Sequence, residues 1–140
     1  MNLETSLKAA QSYRDAATSA LGARLENRSI DQEQRAAHGF AWVATSVAGM
    51  EAVQNWLDLN SGGTALDRLV ATLIYAETIG QLTGGLPMSQ SEIFRPADIG
   101  LGEAARALAE NSAPILDTDH VATRAAVAQP PGEGHAPSES

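Results

Sequence analysis

Apolar residues recur at intervals of three and four through most of this chain, the mark of helices that each bury one stripe. In the first stretch Leu3, Leu7, Ala10, Tyr13, Ala17, Ala20 and Leu21 form such a stripe opposite Lys8, Arg14 and Asp15, and Asn2 is placed to cap it. The spacing predicts a helix ending near Asn27. Ser29 followed by Gln32 fits a capping box, with Asp31 and Glu33 where the helix dipole favours acids, so a second helix is expected to start there. Within it Phe40, Val43, Val47, Met50 and Leu57 keep the period. Trp42, Val53 and Trp56 add apolar residues on adjoining faces, which predicts a helix covered on more than one side. The small residues Gly39, Ala41, Ala44, Ala48 and Gly49 would let a neighbouring helix approach closely.

Leu59-Asn60-Ser61-Gly62-Gly63 ends that helix, since the glycine pair supplies the left-handed backbone of a C-terminal cap, and Thr64 with Asp67 opens the next. Two long apolar helices joined by so short a link predict an antiparallel hairpin as the body of the domain, with Leu66, Leu69, Val70, Leu73 and Ala76 packed on the second helix. Gly84-Gly85 and Pro87 stop the third helix. Residues 88–95 can hold a short helix at most, because Pro96 disfavours helical geometry at Arg95. Residues 97–102 are a connector, residues 103–110 form a brief amphipathic helix, and Asp117 can cap a last helix running to Ala128.

The fold class expected is therefore all-α: a helical bundle over residues 1–128, followed by a tail, residues 129–140, too rich in Pro, Gly, Ser and Glu to bury a core. Composition agrees, because the apolar content comes from Ala, Leu and Val with few aromatics. The net charge of −8, with 9 basic residues spread singly, provides no footprint for nucleic acid or an anionic membrane. The absence of cysteine excludes disulfides and thiolate sites and, with an N-terminus lacking an apolar signal region, suggests a cytoplasmic setting. The longest uncharged run, residues 36–50, is shorter than the roughly 20 residues that span a bilayer.

Few residues suggest chemistry. Glu77 lies mid-helix among Ile74, Tyr75, Ala76 and Ile79, where desolvation would raise its pKa toward that of a general acid or base; the plainer expectation is that it reaches solvent or a polar group such as Thr78 or Gln81. His38 has no acid or histidine three or four residues away and is expected to pack between helices rather than bind metal. Ser89 and Ser91 lack the strand-to-helix context and partners of a hydrolase nucleophile. Gly84-Gly85 lacks the strand and spacing of a dinucleotide fingerprint.

The blocks AAHGFAWVATSVAGMEAVQNWL (residues 36–57) and IGQLTGGLPMSQSEIFRPADIGL (residues 79–101) resemble the helical N-terminal extension that precedes the catalytic core in a group of bacterial acyl-CoA dehydrogenases. The resemblance covers roughly residues 35–110. In that group the core oxidises an acyl-CoA thioester between its α and β carbons and passes a hydride to FAD; here the sequence continues into QPPGEGHAPSES instead. Within the second block Gln81, Gly84 and Gly85 match the Q-x-x-G-G pattern of the C-terminal helical domain of acyl-CoA dehydrogenases, where that loop approaches the FAD of a neighbouring subunit. Pro87-Met88 replaces the aromatic that usually follows, so a copy kept for packing is the expectation.

The resemblance implies one of two roles. The first is a non-catalytic accessory module that docks on an acyl-CoA dehydrogenase core or on a second copy, presenting Met88, Ile93 and Phe94 as apolar anchors beside Glu92 and Arg95, with FAD present only in the assembly. The second is a fragment or subunit that contributes Gln81, Gly84 and Gly85 to a shared flavin and acyl-CoA site. Residues 130–140 lack the apolar content to join a core, so deleting them is expected to leave the thermal midpoint nearly unchanged; a fall of many degrees would show that they dock.

Overall fold

The structure, a computed structural model, describes residues 3–117 and 120–129. The capping position assigned to Asn2 and the tail at 130–140 lie outside the described residues. The described residues form six α-helices, one two-stranded turn and two short 3-10 turns, an all-α fold as expected. In order the helices and strands are α1 (Leu3–Leu25), α2 (Gln34–Leu59), α3 (Ala65–Gly84), β1 (Leu86–Pro87), β2 (Ile93–Phe94), α4 (Gly102–Asn111), α5 (Ala113–Leu116) and α6 (His120–Ala128).

The reciprocal Ser29–Gln32 hydrogen bonds form, at 2.9 and 3.2 Å, yet they close a turn and α2 begins only at Gln34. Glu33 explains the delay in part, because its carboxylate is drawn to Arg24 at 3.5 Å and Arg28 at 2.8 Å and caps nothing. By contrast Thr64 and Asp67 form the expected capping box of α3, at 2.9 and 3.0 Å. The link between α2 and α3 reverses through three successive left-handed residues, Ser61, Gly62 and Gly63. Glycine suits two of them for lack of a Cβ.

Helix α1 lays Ser6, Ala10, Tyr13 and Ala17 into the core, and its broadest packing is on α2. Gln11 and Arg14 hold Glu51 of α2 across that seam, at 2.9 and 3.3 Å. Helix α2 buries one face only: Ala36, Gly39, Val43, Val47, Met50 and Leu57. Trp42 and Trp56 stay outside, so the helix is not covered on several sides. On α3 the buried face is Ala71, Thr72, Tyr75, Ala76, Ile79 and Leu82, while Leu66 and Val70, expected to pack on α2, are exposed. Tyr75 crosses the core to donate its hydroxyl to the Met50 carbonyl at 2.9 Å.

Two elements differ from expectation after α3. Residues 88–95 hold one 3-10 turn at Ser89–Ser91, within the short helix expected at most, but it sits inside an unexpected antiparallel ladder in which Leu86 pairs with Phe94 and Pro87 with Ile93. The separate helix α5, with Pro114 near its N-terminus, stands where none was expected and closes at Asp117; α6 is described from His120, and the residues between it and Asp117 lie outside the described ones.

The paired turn is fixed from the inside by Phe94, 2% exposed, whose ring lies against Gly39 so closely that a Cβ there would sit 2.1 Å from Phe94 Cδ1. The small residue on α2 thus admits an aromatic ring and not a helix. From the outside Arg35 of α2 donates to the Ile93 carbonyl at 2.9 Å and pairs with Asp98 at 3.5 Å, while Arg24 of α1 donates to the Asp98 carbonyl at 3.1 Å.

Two predictions follow from this packing. Phe94→Ala should lower folding stability by about 3 to 5 kcal/mol in a denaturation curve, as a truncated buried Phe does, and Gly39→Ala by about 1 to 3 kcal/mol through overpacking; a change within about 0.5 kcal/mol for both, the surface range, would contradict the seat. The second concerns the two tyrosines, each raised from an ordinary 10.0 to about 12: Tyr13 by burial, Tyr75 by burial and then by the negative charge of Asp58. A proton held more tightly in the folded state gives stability that is whole below pH 10.0 and is lost as pH rises toward about 12. Tyrosinate absorbance of the native chain should therefore rise well above pH 10.0, and that of the urea-unfolded chain near 10.0; a native midpoint at the unfolded value would contradict it.

Candidate functional site

The residues singled out in sequence converge on one end of the bundle, where the C-terminus of α3 meets the paired turn and α4. Gly85 leaves α3 with its amide donating to the Gln81 carbonyl at 2.8 Å, and its missing side chain makes room for Ile93, whose Cγ2 would stand 2.8 Å from a Cβ. Packing therefore accounts for Gly85. Gly84 and Gln81 are exposed, and a Cβ on Gly84 would meet nothing within 4 Å.

The five residues expected at a partner surface divide. Phe94 and Met88 are buried, at 2% and 7%, so neither is presented outward as an anchor: the ladder turns alternate residues inward, and Phe94 fills the space over Gly39. Glu92, Ile93 and Arg95 face solvent, with Ile93 38% exposed. Ser91 holds a positive φ of 65°, which places strain at the tip of this turn.

Beside Gly84 lies a slot of about 350 Å³. Thr83 and Gly84 form one wall, Pro96 and Ala97 another, and Gly102, Ala105, Arg106 and Ala109 of α4 the third, with Arg95 at the rim. Spacings of three and four put the α4 members on one face of that helix. A wider groove of about 810 Å³ opens at the opposite end of α3, around the α2–α3 link. Trp56, Leu59 and Leu66 line it at 47%, 77% and 51% exposure, and Asn60, Ser61 and Asp67 supply polar groups along it. No spacing rule marked this groove beforehand, because Leu66 carries the period of a buried stripe and Trp56 stands on a face beside one.

The isolated candidates take plain roles. Glu77 is exposed and pairs with Arg124 of α6, a partner that helical spacing alone could not name. His38 is exposed too, and it does not pack between helices: its Nε2 accepts from Trp42 Nε1 at 2.9 Å, one turn along the same helix. Among the described residues no group of histidines and acids could hold a metal ion. Nor is any described helix long and apolar enough to cross a membrane.

Comparison with known proteins gives one point of reference. No protein-family model matches the chain, and no solved structure matches it. The chain is similar to (2S)-methylsuccinyl-CoA dehydrogenase of Cereibacter sphaeroides, 32% identical over 93 residues that cover 61% of this chain and 17% of that protein. This similarity supports a relationship to the acyl-CoA dehydrogenases, and the match spans less than a fifth of the relative's length.

Proposed function

We propose that this chain is a non-catalytic helical module that associates with the flavoprotein core of an acyl-CoA dehydrogenase, in the manner of an N-terminal extension. The observation that carries the proposal is the apolar groove at the α2–α3 link, where three large side chains stand exposed side by side. An exposed apolar cluster with polar groups beside it is the form of a protein contact, and its aromatic member is the kind of residue that dominates interface energies. The similarity to a dehydrogenase over a small share of that enzyme's length supports the choice of such a core as the partner.

In this reading FAD and the thioester belong to the core. Gly85 has a packing role against Ile93, and Gln81 and Gly84 offer the surface no buried donor that would grip a flavin. The contact moves from the paired turn, where Phe94 and Met88 are occupied internally, to Trp56, Leu59 and Leu66 at the other end of α3. Cytoplasmic localisation, alongside an acyl-CoA enzyme, is part of the same proposal.

The test combines the purified chain with an acyl-CoA dehydrogenase core from the same organism. The chain should be colourless, reduce no dye with acyl-CoA, and bind the core in a titration. Trp56→Ala should weaken that binding by ~2 kcal/mol or more while changing folding stability by only about 0.5 kcal/mol. Dye reduction by the chain alone would favour the shared flavin site instead, and a core that ignores the chain would end the proposal.

A further inference from the structure

The chain has nine basic residues, Lys8 and eight arginines, in a strongly acidic background. Most of the arginines are already engaged. Arg14 reaches Glu51 at 3.3 Å, Arg24 and Arg28 reach Glu33 at 3.5 and 2.8 Å, Arg35 reaches Glu92 and Asp98 at 3.7 and 3.5 Å, and Arg124 reaches Glu77. Arg68 donates to the carbonyls of Gly62 and Gly63, at 3.3 and 2.6 Å. That leaves Arg95 and Arg106. The guanidinium of Arg95 makes no ion pair or hydrogen bond among the described residues, and Arg106 touches Glu103 only at 4.0 Å, both side chains being open to water. These two arginines, from different elements, line the same slot.

The remainder of that slot is apolar or small, with Pro96 and three alanines among it, apart from Thr83, whose hydroxyl donates to the Ile79 carbonyl of its own helix at 2.8 Å. At about 350 Å³ it lies at the small end of ligand pockets, which combine an apolar lining with a few polar groups that fix orientation. Two guanidiniums whose one carboxylate contact is the loose, exposed Arg106–Glu103 approach at 4.0 Å suit a planar or tetrahedral anion, since each offers parallel N–H donors to two oxygens. A bare anion would leave the apolar lining unused, and a neutral hydrocarbon would leave the guanidiniums unused.

We propose that the slot between the C-terminus of α3, the Pro96–Ile99 turn and α4 binds a small amphiphilic anion, with a carboxylate or phosphate head on Arg95 and Arg106 and a short apolar tail over Pro96, Ala105 and Ala109. The site needs no flavin and no partner chain, and it is independent of the docking groove at the far end of α3.

Calorimetric titration of the full chain with hexanoate, hexyl phosphate, hexanol and inorganic phosphate tests it. At least one of hexanoate and hexyl phosphate should bind saturably, and the tighter of the two identifies the head group. Replacing both arginines, Arg95→Gln with Arg106→Gln, should weaken that binding by about tenfold or more, since each loses a charge-assisted hydrogen bond. Both positions are exposed, so helicity should be unchanged. Ala109→Phe, which fills the slot while keeping both charges, should also abolish binding. Hexanol or inorganic phosphate binding as tightly as the amphiphiles, an undiminished affinity in either variant, or no saturable binding to the native chain would each overturn the assignment.

Discussion

The contact on which the architecture turns is the ring of Phe94 against Gly39. Helix α2 contributes one continuous buried face, and along most of it neighbouring helices supply the cover. At its N-terminal end the cover comes from a short two-stranded turn, which makes too few backbone hydrogen bonds to hold itself. Without a side chain at residue 39 the ring can drop to the helix backbone, and once there it fixes the direction of the segment that follows. Arg24 and Arg35 then close over the outside through exposed bonds, each worth much less than the burial beneath them. The Pro96–Ile99 turn and the start of α4 inherit their positions from that seat, and so does the slot they form with the end of α3.

The same bundle carries two features of different chemistry at opposite ends of α3. One is the groove at the α2–α3 link, built from aromatic and aliphatic surface and suited to a protein. The other is small, apolar in its walls and cationic at its rim, and suited to a small molecule. Helix α3 joins them rigidly, being well buried along Ala71, Tyr75, Ile79 and Leu82 and secured by the bond from Tyr75 to the Met50 carbonyl.

Local signals survived in the structure wherever the interaction that creates them is itself local. Thr64 and Asp67 meet within one helical turn, and the box they form is present. Ser29 and Gln32 also meet, but whether a helix follows at once depends on Glu33, which two arginines from the preceding segment claim. The stripe on α1 was legible because Ala10, Tyr13 and Ala17 along it are all covered, by α2, α3 and α4 together; the faces of α2 and α3 were not, since neither the period nor the apolar character of a residue says whether a neighbour covers it. Leu66 and Val70 are the cases in point, and Trp42 and Trp56 stand exposed on faces beside the buried stripe of α2. Phe94 was misplaced for a related reason, because its cover comes from a residue fifty-five positions earlier whose only signal is the absence of a side chain. That Arg95 and Arg106 line one slot is likewise invisible along the chain, and it stands out only once every other arginine has found its partner.

The acidic surplus gives the docking groove a directional preference. Asp67 lies along the groove itself, and the whole chain carries a net charge of −8. Two copies approaching groove to groove would bring like charges together while trying to share apolar surface, so self-association is opposed at low ionic strength and eased as salt shortens the range of the repulsion. A partner with a basic rim meets no such barrier and is drawn in from a distance. Asp67, which caps α3, would thus serve a second time, with the surplus charge around it, as a filter on company, keeping the exposed tryptophan and leucines of two copies apart while leaving them open to a surface of the opposite sign.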